Sequence, residues 1–425
     1  MVRAIPVAFA ALALLAGCAP ATPELTTPMP DPGGAPPSSA PAPTAAPTTA
    51  APKPEPETDQ GTLNQRLRDA AWKGDVDAAS ELLAKGADVN AKDHSIQSAY
   101  LIAASEGHLP FVKLALENGA SVSDTDSWGS NALTRASERG HAAIAGVLIQ
   151  ADIERNQENK IGYLPIHEAI WLGQGDEGAV DTVRVLVAGG ADVERESAAE
   201  RLTPLQMAQD RGFEEITATL EAALSPDEVK DPGVELLLSA AIGDADQVAR
   251  MLRLGGDIES KDSQERTALL LATTSDQVDA AKLLVNLGAE VDVKDAAGES
   301  PWLLAAGEGD VDMGKALQQA DPDMEITNAD GSTALIVAAA AGHEEYVKYL
   351  LTLPNAGVNA VNTLGYTALI EAVRLGEDTS GTQAIVTALL AAGANPELTD
   401  ANGMTPADHI EERELTQVKL DAVGK

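Results

Sequence analysis

Cysteine, aromatic residues and basic charge are all scarce in this chain. Its 425 residues contain one Cys, three Phe, four Trp and five Tyr, with 29 Lys+Arg against 66 Asp+Glu. A single Cys excludes a disulfide framework and a thiolate zinc cluster. Few aromatics leave Ala, Leu, Val and Ile to fill the core. A formal charge of −37 lacks the basic footprint that phosphate backbones require and repels anionic lipid, so nucleic acid is excluded as a partner. The apolar run Val7–Leu15 is too short to cross a bilayer as a helix and follows one positive charge, Arg3. That is the layout of an export signal.

The end of that run, Leu15-Ala16-Gly17-Cys18, resembles a bacterial lipobox. The resemblance implies cleavage after residue 17 and lipidation of Cys18, which becomes the only link to the membrane. Ala19 follows where an Asp tends to retain Gram-negative lipoproteins at the inner membrane. The implied location is therefore the cell envelope: the outer membrane facing the periplasm in a Gram-negative host, or the outer face of the cell membrane in a Gram-positive one. Residues 19–58 hold 13 of the 24 prolines among Ala, Thr and Ser. Such a segment cannot bury a core and favours extended polyproline II, reaching about 100 Å at ~3.1 Å per residue. Residues 18–58 thus read as a lipidated Cys and a tether.

The remainder is periodic. A Thr/Ser-Pro/Ala-Leu position recurs at Gln65, Ser98, Asn131, Leu164, Thr203, Glu235, Thr267, Ser300, Thr333, Thr367 and Thr405, at intervals of 32–34 residues except for one of 39 and one of 38. Thr203-Pro204-Leu205, Thr267-Ala268-Leu269, Thr333-Ala334-Leu335 and Leu164-Pro165-Ile166-His167 open units. Gly86-Ala87-Asp88-Val89-Asn90 and Gly190-Ala191-Asp192-Val193-Glu194 close them. These motifs closely resemble ankyrin repeats. The resemblance implies an all-α solenoid of about 11 units, each a helix-turn-helix with a β-hairpin finger, that binds proteins through its concave face and fingertips.

The expected organisation is repeats 1–5 over 59–224, an interruption at 225–233 around Pro226 and Pro232, and repeats 6–11 with a C-terminal cap over 234–425. The period survives the interruption, so one continuous superhelix is expected, with two arrays as the alternative. The long intervals place insertions at Gly173–Gly178 and Gly376–Gln383 between the helices of a unit. Asp75, His108, Asp244, Asp310 and His343 stand where a polar side chain can cap a second helix.

Motifs suggestive of catalysis have repeat explanations. Gly173–Gly178 fits G-x-G-x-x-G but follows a helix and places Asp176 and Glu177 where phosphate would lie. Gly309–Lys315 fits most of a P-loop, with Ala316 in place of the magnesium-binding hydroxyl. His108, His141, His167 and His343 occupy turn or repeat-start positions, and neither His94 nor His409 has an evident catalytic partner. No D-x-[DN]-x-[DN]-G calcium loop occurs. No enzyme activity, metal or cofactor is expected.

The scarce aromatics mark the expected interface. Trp128 lies on a fingertip, Tyr163 and Tyr366 precede repeat starts, and Trp72 and Trp171 share one first-helix register. Tyr100 and Trp302 fall at core positions. Interface hot spots are rich in Trp and Tyr, so a groove in the first half, rimmed by acid, is expected to bind an unknown protein that is basic or mixed in charge. Alternatives are an inhibitor or immunity-type protein masking a basic toxin or enzyme, an accessory factor for an envelope enzyme, and acidity as adaptation to salt.

Overall fold

The computed structural model describes residues 59–420. The export signal, Cys18 and the tether over 18–58 lie outside them. Among the described residues there are 21 helices and no named strand. The first five units pair α1 (Gln60–Lys73) with α2 (Val76–Ala84), α3 (Ala99–Glu106) with α4 (Leu109–Glu117), α5 (Ala132–Ser137) with α6 (Ala142–Gln150), α7 (Pro165–Trp171) with α8 (Glu177–Ala188) and α9 (Pro204–Arg211) with α10 (Glu214–Leu224). The next five pair α11 (Pro232–Ile242) with α12 (Ala245–Arg253), α13 (Ala268–Thr274) with α14 (Val278–Asn286), α15 (Pro301–Glu308) with α16 (Val311–Gln318), α17 (Ala334–Ala341) with α18 (Glu344–Thr352) and α19 (Ala368–Leu375) with α20 (Ser380–Ala391). A single α21 (Pro406–Glu412) follows.

Each unit is written into its sequence. Ser98, Asn131, Thr203, Thr267, Ser300, Thr367 and Thr405 accept the backbone N–H three residues on and start the first helix. Small residues such as Ala103, Ala104, Ala305 and Ala338 are fully buried and let neighbouring units approach. Tyr100 and Trp302 are completely buried, as their register requires. Gly309 ends α15 at φ 73°, and a Cβ there would lie 2.4 Å from the His343 ring, so this turn needs glycine for both conformation and space.

Several local expectations change. Asp75, Asp244 and Asp310 cap their helices, whereas the His108 and His343 side chains make no cap bond. These rings instead reach back one unit, to the carbonyls of Trp72 and Gly307, because the previous unit's turn glycines, Gly74 and Gly309, leave room for them. The insertions remain loops only in part: 173–176 and 376–379 stay outside the helices, while Glu177 and Gly178 join α8 and Ser380–Gln383 join α20, which reach 12 residues each. The fingers are not β-hairpins: only isolated bridges form, Thr125 with Asn131 and Lys261 with Thr267. In place of a ladder, an Asp or Asn five residues before eight of the first-helix starts accepts the N–H groups two and four residues on. Asp93, Asp126, Asn159, Asp262, Asp295, Asn328, Asn362 and Asp400 all do this.

The largest departure concerns the stack. First helices pack in series from α1 to α9 and again from α11 to α21, but α9 and α11 share at most a glancing contact. The expected continuous superhelix is therefore broken at the 225–233 interruption, and the chain doubles back. Second helices of the two stacks pack together in antiparallel order: α12 against α8 and α10, and α14 against α6 and α8. At α6 the approach is so close that a Cβ on Gly146 would lie 1.9 Å from the Asn286 carbonyl oxygen. Gln150 donates to that carbonyl at 3.0 Å, and Lys113 on α4 to the Gln319 carbonyl at 3.3 Å. Arg184 on α8 meets Asp246 at 2.8 Å and lies near Asp181 and Asp279. Lys282 on α14 pairs with Glu177, and Arg253 donates to the Ala191 carbonyl at 2.6 Å. Arg250 secures the crossing by donating to the Asp227 carbonyl at 2.6 Å.

Candidate protein-binding site

With second helices in the seam, the fingers and first helices of each stack face away from it. On the first stack, three consecutive fingertips carry exposed apolar side chains: Ile96, Trp128 (55% exposed) and Ile161. The backbone holds them in place. The Trp128 N–H donates to Asp126 Oδ1 at 2.8 Å, and the Trp128 carbonyl accepts from Lys160 N of the next finger at 2.8 Å. Lys160 Nζ also donates to the Ser127 carbonyl. Ile96 and Ile161 were not anticipated from sequence, although each stands two or three residues before a recurring helix start.

The other aromatic candidates divide. Trp72 is 53% exposed at the end of α1, and Trp171 is 38% exposed at the end of α7. Tyr163, expected on a fingertip, is only 3% exposed. It turns inward against Trp171 and His167, each with a ring centroid 6.1 Å away. Tyr366 is half-buried under the Arg374 guanidinium, 4.4 Å from its centroid, and belongs to the second stack. The structure thus brings Tyr163 and Trp171 into contact and puts Trp128 on an adjoining finger. Trp72 stands three units before Trp171.

Two units beyond Trp72 and one before Trp171, the same register holds Glu138. Its carboxyl is pushed up to about 7, chiefly by burial, with Glu168 and Asp126 adding to the rise and Arg135 opposing it. Arg135 Nη1 donates to Glu138 at 2.7 Å. Arg211 lies 5.6 Å from the Trp171 centroid, so one face of that indole already receives a guanidinium.

The motifs that looked catalytic are occupied by the fold itself. The Asp176 carboxylate accepts the Ala179 N–H, and that of Asp310 accepts those of Asp312 and Met313. Both helix starts are therefore capped by a negative charge. His167 Nδ1 accepts the Leu164 N–H and Nε2 donates to the Arg195 carbonyl, which commits both nitrogens of a neutral ring. Burial lowers its pKa. His409, read from sequence as lacking a carboxylate, has Asp400 at 3.2 Å. The pair is a structural tie, because the same nine-residue spacing joins Asn159 to Glu168 and Asn362 to Glu371.

Stacked helix pairs joined by side-chain-tied fingers define a solenoid repeat protein, and comparison with known proteins names the repeat. The family described as ankyrin repeats (3 copies) matches residues 67–159, 100–197, 236–323 and 302–400, and the chain belongs to that family. It is 34% identical to the ankyrin repeat protein YahD of Escherichia coli (strain K12) over 143 residues, covering 33% of this chain and 71% of that protein. It is 28% identical to a Caenorhabditis elegans homolog of transient receptor potential cation channel subfamily A member 1 over 182 residues, covering 42% of this chain and 14% of the channel. Among solved structures, an ankyrin repeat domain from Acinetobacter baumannii AYE is 39% identical, covering 42% of this chain and 91% of that one, at a TM-score of 0.41. An ankyrin solenoid is a scaffold suited to protein–protein interaction. Among the described residues, no helix is long and apolar enough to cross a membrane.

Proposed function

We propose that this chain is a lipid-anchored, extracytoplasmic adaptor that grips a basic or mixed-charge protein with the fingertips and first-helix face of its first stack. The observation that carries this reading is the apolar ridge Ile96–Trp128–Ile161 on three tied fingers. Exposed Trp on a rigid support is the usual make-up of an interface anchor. Trp171, further along the same face, adds a partly exposed aromatic surface suited to a cationic side chain.

Anchoring is supported by Leu15-Ala16-Gly17-Cys18 and the proline-rich segment that follows. The work site would be the periplasmic face of the outer membrane in a Gram-negative host, or the outer face of the cell membrane in a Gram-positive one. Crosslinking in intact cells tests both parts. A Trp128→Ala, Ile161→Ser chain should lose the crosslinked partner of the wild type, and a Cys18→Ser chain should leave the membrane fraction. An undiminished crosslink in the first variant refutes the ridge, and continued membrane association in the second refutes the anchor.

A further inference from the structure

The second stack opens with a helix unlike the one that opens the first. Val234, Leu238 and Ile242 recur every four residues on α11, share one face, and are 50%, 56% and 73% exposed. The turn glycines Gly74 and Gly243 put Val234, one residue before the Glu235 landmark, in register with Gln65, so on α1 the same face holds Gln65, Asp69 and Lys73, the polar face expected where a stack ends. Inside the second stack, Leu271 has the register of Leu238 and is only 9% exposed. In other units the side chain at this register is tied to the finger before it, as Glu168, Glu371 and His409 are. No such finger precedes α11, so its apolar face stays open.

The stripe runs into a charged cleft. Ile242 is followed by Gly243, which with Asp276, Asp279, Asp310 and Asp312 lines an open cleft of about 480 Å³. Lys315 pairs with Asp312 at 3.0 Å and Lys282 lies 3.9 Å from Asp279, so Asp276 and Asp310 are the carboxylates left for an incoming cation. Asp276 and Asp310 lie so close that the Asp310 carboxyl raises the pKa of Asp276. A cation placed between them would relieve that repulsion.

We propose that the α11 stripe and this cleft form one docking surface for a basic amphipathic helix of a partner protein, with apolar side chains on Val234, Leu238 and Ile242 and a Lys or Arg in the cleft. The four-residue spacing presents a straight apolar row that matches the anchors of a helix laid alongside it. Charge selects the occupant. Residues 225–420 carry 34 acidic and 12 basic side chains, so a second copy would bring acid against acid, whereas a basic helix is attracted and steered. This surface is separate from the first-stack ridge and does not depend on the role assigned to it.

Fluorescence anisotropy with the full chain and a labelled Leu/Lys peptide of amphipathic helical spacing provides the test. A peptide of equal composition and scrambled order serves as control. The amphipathic peptide should bind saturably and the scrambled one far more weakly. Leu238→Gln with Ile242→Gln should weaken binding by about tenfold. Asp276→Asn with Asp310→Asn should weaken it and flatten its salt dependence. Trp128→Ala should leave it unchanged, which separates this surface from the first stack. All of the substituted side chains except Asp310 are well exposed, and unchanged thermal melts would establish intact folding. Equal binding of both peptides overturns the proposal, as does unchanged affinity in either double variant. Self-association of the wild type that Leu238→Gln with Ile242→Gln abolishes would assign the stripe to a second copy and also overturn it.

Discussion

Glu138 illustrates how a repeat register can hold opposite chemistries. Two of its counterparts on the same face are Trp72 and Trp171, yet here a mostly covered carboxyl, 10% exposed, lies beside Arg135. Its folded-state pKa of about 7 lies above the ordinary glutamate value of 4.5. The unfolded chain therefore ionises first, and stability falls as pH rises from about 4.5, levelling once the folded carboxyl also ionises near 7. The loss should be about 2–3 kcal/mol. In Glu138→Gln this part of the pH dependence should vanish, so the stability of the variant relative to wild type should improve between pH 4.5 and 7. Urea titrations across that range check it, and a constant difference would show that the carboxyl is not perturbed. Sequence marks Trp72 and Trp171 because aromatics are rare, but it cannot mark Glu138 among 66 acids, since only burial distinguishes it.

Single helices follow rules that the sequence states openly, and their exceptions are instructive. Thr267 accepts the Leu270 N–H and starts α13, while Thr333, in the same repeat position, makes no cap bond and buries a hydroxyl without a partner. Thr267→Ala should cost about 1 kcal/mol, and Thr333→Ala much less, because it removes an unsatisfied group. Chemical denaturation of the two variants measures the difference, and equal losses would refute the distinction. The repeat register and the first-helix boundaries were legible in the Thr-Ala-Leu landmarks. The finger ties were present too, as an Asp or Asn five residues before eight helix starts, but their meaning depends on three-dimensional turns. The destination of the His108 and His343 rings was not legible, since their acceptors lie 36 residues earlier in the chain.

For the described body as a whole, the decisive feature is the seam. Nothing in the local pattern of α6, α8, α12 or α14 announces it. The charges on Arg184 and Lys282 read as solvent-facing until the antiparallel partner supplies Asp246 and Glu177. Gly146 shows how tight the junction is. Gly146→Leu should force α6 from Asn286 and open the seam while each stack retains its own core. Small-angle scattering should then give a larger radius of gyration, and a broad or two-step unfolding curve should replace a single transition. An unchanged radius and a single transition would show that the seam tolerates the bulk.

The seam also has a mechanical consequence. A single-file solenoid behaves as a spring, because each interface between neighbours adds its compliance to the next. Two short stacks bonded side by side share any load in parallel, so their stiffnesses add. The doubled body should therefore resist bending and stretching more like a braced beam than a coil. It would hold the fingertip ridge and the α11 stripe at a fixed separation, whatever pulls on either.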